Sequence, residues 1–336
     1  MGVGSRGKNL TPCASRLTNL KKMGLYFLSY LCLIVFVIAV ILRVYRQFTL
    51  PVHLRWELYP VKHEAGKKAA YGGSYMEETN WWERKRKRSW INELRYMIPE
   101  ILFLRGVWEE NRRLWWVSFP FHFGLYMLLG TFLLLLLGAI LMRFGIPVSP
   151  GNGGINSLIY YLTIVVGVIG MISGAVGTAG LLCRRLTAPE LKHYSSFADY
   201  FNLVFLFSFC GSALLAWLFH DLSFDGARAY FYGLLTFGGL PRGYILDRSF
   251  LGGLTIVLTS LVVAYIPMTH MSHMFMKYFM YHFVRWEDEP NLKGSGLEAS
   301  ILQNLGFRPT WAASHIGADG KKTWGEIASS KPKELK

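Results

Sequence analysis

The sequence predicts an all-α membrane protein: a bundle of five transmembrane helices with a long cytoplasmic loop and a soluble C-terminal tail. Three observations lead there. Of 336 residues, 52% are hydrophobic and only 17% are charged, against roughly a quarter charged in soluble domains. Five stretches are long and apolar enough for a helix to cross the hydrocarbon, which takes about 20 residues. No alternating pattern of β-barrel type occurs, and helices and closed barrels are the only structures that satisfy their backbone inside lipid. The net charge of +15 is read as loops that face the cytoplasm rather than a nucleic-acid surface. The four cysteines Cys13, Cys32, Cys183 and Cys210 lie far apart without CxxC or CxxCH. This excludes a disulfide framework, a zinc or iron–sulfur ligand set and covalently attached haem.

The first span covers about residues 23–44. The second covers about 119–142, with a run of leucines at 133–137. The third covers about 157–182 and the fourth about 200–219. The fifth starts near Leu251 and stays apolar to about Val284, longer than a span needs, so its far end is expected to project from the bilayer. Residues 45–118, with the run Arg84-Lys85-Arg86-Lys87-Arg88, are expected as a polar cytoplasmic loop within the membrane domain 23–284, and residues 285–336 as a cytoplasmic tail. The loops 143–156 and 221–250 carry little positive charge. Gly167, Gly170, Gly174, Gly177 and Gly180 recur at three- and four-residue spacing, the pattern of close helix contact in lipid.

Lys and Arg counts orient the chain. With the N-terminus outside, the inner segments hold 25 and the outer segments 8, so the N-terminus is expected outside and the C-terminus in the cytoplasm of an inner-membrane, multi-pass protein. Residues 1–22 dissent, with five basic residues and no acidic one on the outer side. They also lack a cleavable signal pattern, and the expectation is a start-site artefact, with the natural chain beginning at Met23.

Among nine histidines, three matter most: His122, His270 and His273. His122 lies about one turn into the second span. His273 lies 22 residues beyond Leu251, about 33 Å along a continuous helix. The two helices run in opposite directions, so both imidazoles are expected near the inner face, where two of them can grip one iron as in bis-histidine haem b. Gly124 and Gly130 flank His122 and offer room for a flat macrocycle. Arg112, Arg113, Arg185 and Lys277 lie at the same edge as candidates to pair with haem propionates. His270, three residues before His273, is an equal competitor by geometry.

In their order and spacing, PheHisPheGly at 121–124, ArgArg at 184–185, ProGluLeu at 189–191, AspTyr at 199–200 and Pro267 six residues before His273 resemble the gamma subunit of respiratory nitrate reductase. The soluble segments at 53–60, 72–78 and 322–328 resemble a branch of that family, the membrane cytochrome b subunits of sulfate-reducer complexes with heterodisulfide-reductase-like iron–sulfur subunits. The resemblance implies haem b between His122 and His273, and so decides against His270 as the ligand. It implies electron transfer between a menaquinone-type quinone and a cytoplasmic heterodisulfide-reductase-like partner, with other membrane or multihaem cytochrome subunits as further partners. A second, outer haem in relatives is held at positions that are Phe132 and Thr255 here. Neither binds iron, so one haem is favoured and a second would need other residues. His220, with Asp221 beside it, is a proton or quinone candidate at the outer face, against a solvated helix end; His270 is a quinone candidate near the inner haem. The reading from a different class is a cofactor-free structural anchor.

Overall fold

The computed structural model describes residues 12–49, 61–71, 73–83, 87–151, 153–239, 249–286, 292–313 and 316–330. The segment 53–60, most of the basic run at 84–88 and residues 1–11 fall outside these. In chain order the helices are α1 (Pro12–Thr49), α2 (Trp90–Leu102), α3 (Arg105–Glu110), α4 (Arg112–Arg143), α5 (Gly154–Thr187), α6 (Pro189–Lys192), α7 (Phe197–His220), α8 (Asp225–Leu235), α9 (Phe250–Tyr265), α10 (His273–Phe279), α11 (Gly296–Leu305) and α12 (Trp324–Ser329). Two two-residue strands, β1 (Ala312–Ala313) and β2 (Ala318–Asp319), pair antiparallel in the tail. Five helices are long and apolar enough to span a membrane: Met23–Thr49, Arg112–Arg143, Gly154–Thr187, Phe197–His220 and Phe250–Met268.

Observed and expected spans differ at their ends for one reason. Hydropathy marks only the hydrocarbon-facing stretch, whereas backbone hydrogen bonding continues into the polar flanks. The second span thus begins at Arg112, where the Asn111 side chain accepts from the Leu114 N–H at 3.0 Å and caps the helix. The expected loop 45–118 contains α2 and α3, and the expected loop 221–250 contains α8.

The fifth span departs most. The continuous helix from Leu251 to Val284 is not observed. α9 ends at Tyr265, and two 3-10 turns (Ile266–Met268 and His270–Ser272) separate it from α10. Pro267 brings no N–H, and its ring crowds the carbonyl four residues back. Thr269 is extended (φ −106°, ψ 177°), and its side chain accepts from the Met271 N–H. After α10 the chain makes a π-helical turn, Met280–Arg285.

The described chain divides into two compact units, one of residues up to Ile38 with Met97–Met268, the other of Ala39–Tyr96 with Thr269–Lys336. In the first, α5 packs on α4 and α7, α7 on α9, and α8 on α4. The α4–α5 seam is antiparallel and fixed by glycine. A Cβ on Gly177 would lie 2.2 Å from the Phe121 nitrogen, and one on Gly124 would lie 2.3 Å from the Gly174 nitrogen. Gly180 faces Val117 and Gly170 faces Leu128. This is the close backbone approach that small residues permit in lipid. It also corrects one expectation: the space at Gly124 is taken by the backbone of α5, and Gly130 faces Val166, so these glycines serve packing rather than a macrocycle. On the far side α1 is tied in by stacking of Tyr26 on Tyr230 at 4.8 Å and by Ser29, which bonds the hydroxyls of Tyr230 and Ser260.

The second unit centres on Trp286, which is buried and meets His63, Tyr96, Tyr281 and His282 ring to ring. His282 also pairs with Glu93 at 3.2 Å. In the tail, Thr323 and Glu326 form a capping box for α12, and Asp319 accepts from the Lys321 and Lys322 N–H groups.

Two predictions follow from this packing. Gly124→Ala and Gly177→Ala should each cost about 1–3 kcal/mol or more, read as a lower thermal midpoint in detergent. Gly211→Ala, with nothing within 4 Å of its Cβ, should be neutral or stabilising. Backbone N–H bonds hold the carboxyls of Asp319 and Glu326 below the usual carboxylate range. A depressed acid stabilises the fold above its ordinary pKa and loses that contribution as pH falls. Amide hydrogen exchange at Lys321, Lys322 and Thr323 should therefore lose protection, after correction for intrinsic rates, below about pH 4.

Candidate functional site

In the first unit His122 stands on α4, half-buried, its ring edge-on to Phe121. Its Nδ1 lies 2.8 Å from the Ser118 carbonyl oxygen. A carbonyl only accepts, so Nδ1 carries the proton and donates, and in the neutral ring Nε2 is the nitrogen with the lone pair. Ser118 is buried, and its hydroxyl lies 3.4 Å from the same nitrogen. A neutral imidazole with one nitrogen held by a main-chain oxygen is the arrangement that prepares the other nitrogen for a metal.

The second unit repeats the device. His273 begins α10, and its Nδ1 lies 3.0 Å from the His270 carbonyl oxygen, so again Nδ1 donates, and Nε2 is the nitrogen left to offer a lone pair in the neutral ring. His270 itself is exposed on the 3-10 turn, and its carbonyl, not its ring, takes part in this bond. Spacing alone leaves these two histidines equal; both are exposed, and of the two it is His273 whose ring is held by a hydrogen bond among the described residues. Lys277 lies one turn further along α10, half-buried.

The arginines divide. Arg185 bridges α5 and α7: its Nη1 donates to Ser195 Oγ at 2.8 Å, and its Nη2 lies 3.5 Å from Asp199. The Tyr200 hydroxyl donates to the Arg185 carbonyl. Arg185, Asp199 and Tyr200 are thus one cluster that closes the α5–α7 connection. Arg112 is exposed, with its guanidinium 4.7 Å over the Trp108 ring, and Arg113 is exposed beside it.

His220 is exposed at the end of α7. Asp221 instead turns inward and accepts from the Gly226 and Ala227 N–H groups at 3.1 and 2.8 Å, so it caps α8. Burial pushes its carboxyl up, opposed by those two bonds. Asp225 pairs at 2.6 Å with Arg228, which is fully buried. The cluster weighed in sequence as a proton candidate against a solvated helix end holds a helix cap and an ion pair, with His220 exposed at the end of α7.

Sequence reasoning missed one feature, a cavity of about 540 Å³ wholly within the first unit. Its walls come from α1, α4, α5, α7, α8 and α9, and Phe132 and Thr255 both line it. The available signal was those two positions, read only as lost iron ligands.

Residues 107–287 match the family described as nitrate reductase gamma subunit. No curated protein and no solved structure matches the chain.

The cap assigned to Asp221 is checked by substitution. Asp221→Ala should lower thermal stability by about 1–2 kcal/mol through loss of the α8 cap. His220→Ala, at an exposed end, should stay within about 0.5 kcal/mol of the parent.

Proposed function

The chain belongs to the nitrate reductase gamma subunit family, and on that premise we propose that it passes electrons between a menaquinone-type quinone and a cytoplasmic heterodisulfide-reductase-like iron–sulfur subunit, by way of haem b held by His122 and His273. The coarser part follows from the family itself: this is a multi-pass membrane protein and a haem-containing electron-transfer subunit of a redox complex. The finer part is carried by one observation. Both histidines donate Nδ1–H to a backbone carbonyl three or four residues earlier, which fixes the tautomer that presents Nε2 to iron.

Haem b, when bound, supplies one-electron chemistry, and the protein sets its potential through ligand identity, hydrogen bonding and burial. Ser118 and His270 act through their carbonyls by fixing ring orientation and raising the basicity of each imidazole. Among the basic residues named for the propionates, Arg112, Arg113 and Lys277 remain the proposed contacts, and Arg185 serves the α5–α7 connection first. A single haem is the reading the residues support, because Phe132 and Thr255 cannot bind iron. The N-terminus is placed outside and the C-terminus in the cytoplasm by the distribution of Lys and Arg. This sets the basic segment 45–118 and the tail toward a soluble partner, with other membrane or multihaem cytochrome subunits as neighbours.

A reduced-minus-oxidised spectrum with haem stoichiometry tests the assignment. His122→Ala and His273→Ala should each lower haem content by more than about tenfold, and His270→Ala should retain the parent spectrum. Retention of an unchanged low-spin spectrum in both ligand variants would overturn the reading, and a purified subunit without haem would leave a structural anchor.

A further inference from the structure

The cavity of about 540 Å³ in the first unit is not used by the ligand pair proposed above. It starts at Leu128 on α4, about 9 Å along the helix axis from His122, and its volume falls in the range of small-molecule sites. Three properties define what it can hold. Its walls are largely apolar and partly aromatic: Phe132 and Phe231 meet edge to face at 4.9 Å, and Trp217 and Phe224 complete that side. Among the described residues its lining carries no histidine. And beside the Asp221 carboxylate its polar side chains are mainly hydroxyls, of which the Thr255 Oγ is buried without a hydrogen-bond partner among the described residues. Ser29 and Ser260, also on the wall, bond to each other at 2.7 Å.

A buried hydroxyl without a partner is costly unless a ligand satisfies it. A charged ligand is excluded by the lack of a counter-charge facing the apolar walls, apart from the Asp221 carboxylate, which already accepts two N–H bonds. The complement is a neutral, flat ring with a carbonyl or hydroxyl oxygen and an apolar extension. We propose that this cavity binds the ring of the quinone, with Thr255 donating to a ring oxygen and the aromatic wall stacking on its face. The inference rests on the electron-transfer reading and specifies where in that reading the quinone sits. It takes the two positions that do not hold iron, Phe132 and Thr255, as the wall and the hydrogen-bond donor of a different ligand site.

The test uses the full-length protein in nanodiscs with a short-chain naphthoquinone as probe, reading quinone bound per chain by extraction alongside haem per chain. Thr255→Val, an isosteric loss of the hydroxyl, should weaken probe binding roughly three- to tenfold. Ala213→Phe, which fills the cavity from α7, should weaken it by more than tenfold, and both should keep the haem content of the parent. Parental affinity in Thr255→Val together with parental affinity or misfolding in Ala213→Phe would overturn the inference. So would a second haem lost on filling the cavity, or a phospholipid at one per chain displaced while quinone binding persists. Quinone bound as expected by a protein without haem would sink the electron-transfer reading and leave this site standing. Unaltered quinol-dependent haem reduction in a well-folded Ala213→Phe variant would do the reverse.

Discussion

The first unit depends on the glycine seam between α4 and α5. In lipid the hydrophobic effect does not drive helices together, so association rests on close packing and hydrogen bonding. The seam runs through Val117–Gly180, Phe121–Gly177, Gly124–Gly174 and Leu128–Gly170. His122 lies between two of these contacts. The backbone of α4 at that point is clamped against α5, so the position of its imidazole is set by this close backbone approach. The ring is then fixed by the Ser118 carbonyl. Positioning and tautomer thus come from two adjacent features of one helix.

Polar groups inside the spans follow the same constraint. Thr163 and Thr178 turn their hydroxyls back to carbonyls four residues earlier, which satisfies them without a partner helix. Asn202 accepts from the Tyr265 hydroxyl at 2.7 Å and ties α7 to α9. Arg228 is the one fully buried arginine among the described residues, and it keeps its charge by pairing with Asp225 and by lying over the Tyr160 ring. The Thr255 hydroxyl has no such partner among the described residues and stands on the cavity wall, which makes the cavity more than a packing void.

Much of this was legible in the sequence, because apolar length and glycine spacing are direct consequences of the bilayer and of close packing. The five spans and the packing role of Gly167 to Gly180 needed no coordinates. The break after Tyr265 was harder to read. Pro267 marked it, but aromatic and apolar composition continued past it, and composition does not register the extended Thr269. Nor could the sequence show that Asp221 caps α8, since that depends on a turn placing a carboxylate under N–H groups five and six residues ahead. The cavity was invisible because six helices contribute to it.

The break also bears on how the second histidine is selected. On a continuous helix His270 and His273 would present rings of equal standing about 60° apart. The 3-10 turn from His270 to Ser272 changes that, because its tighter winding brings residues three apart nearly in line. The His270 carbonyl then faces the His273 ring and takes its Nδ1 proton. The residue that competes with His273 in the sequence thereby becomes, through its main chain, the group that orients it. Pro267 and Thr269 create this turn, so a departure from helical regularity that hydropathy cannot detect makes His273, rather than His270, the oriented imidazole.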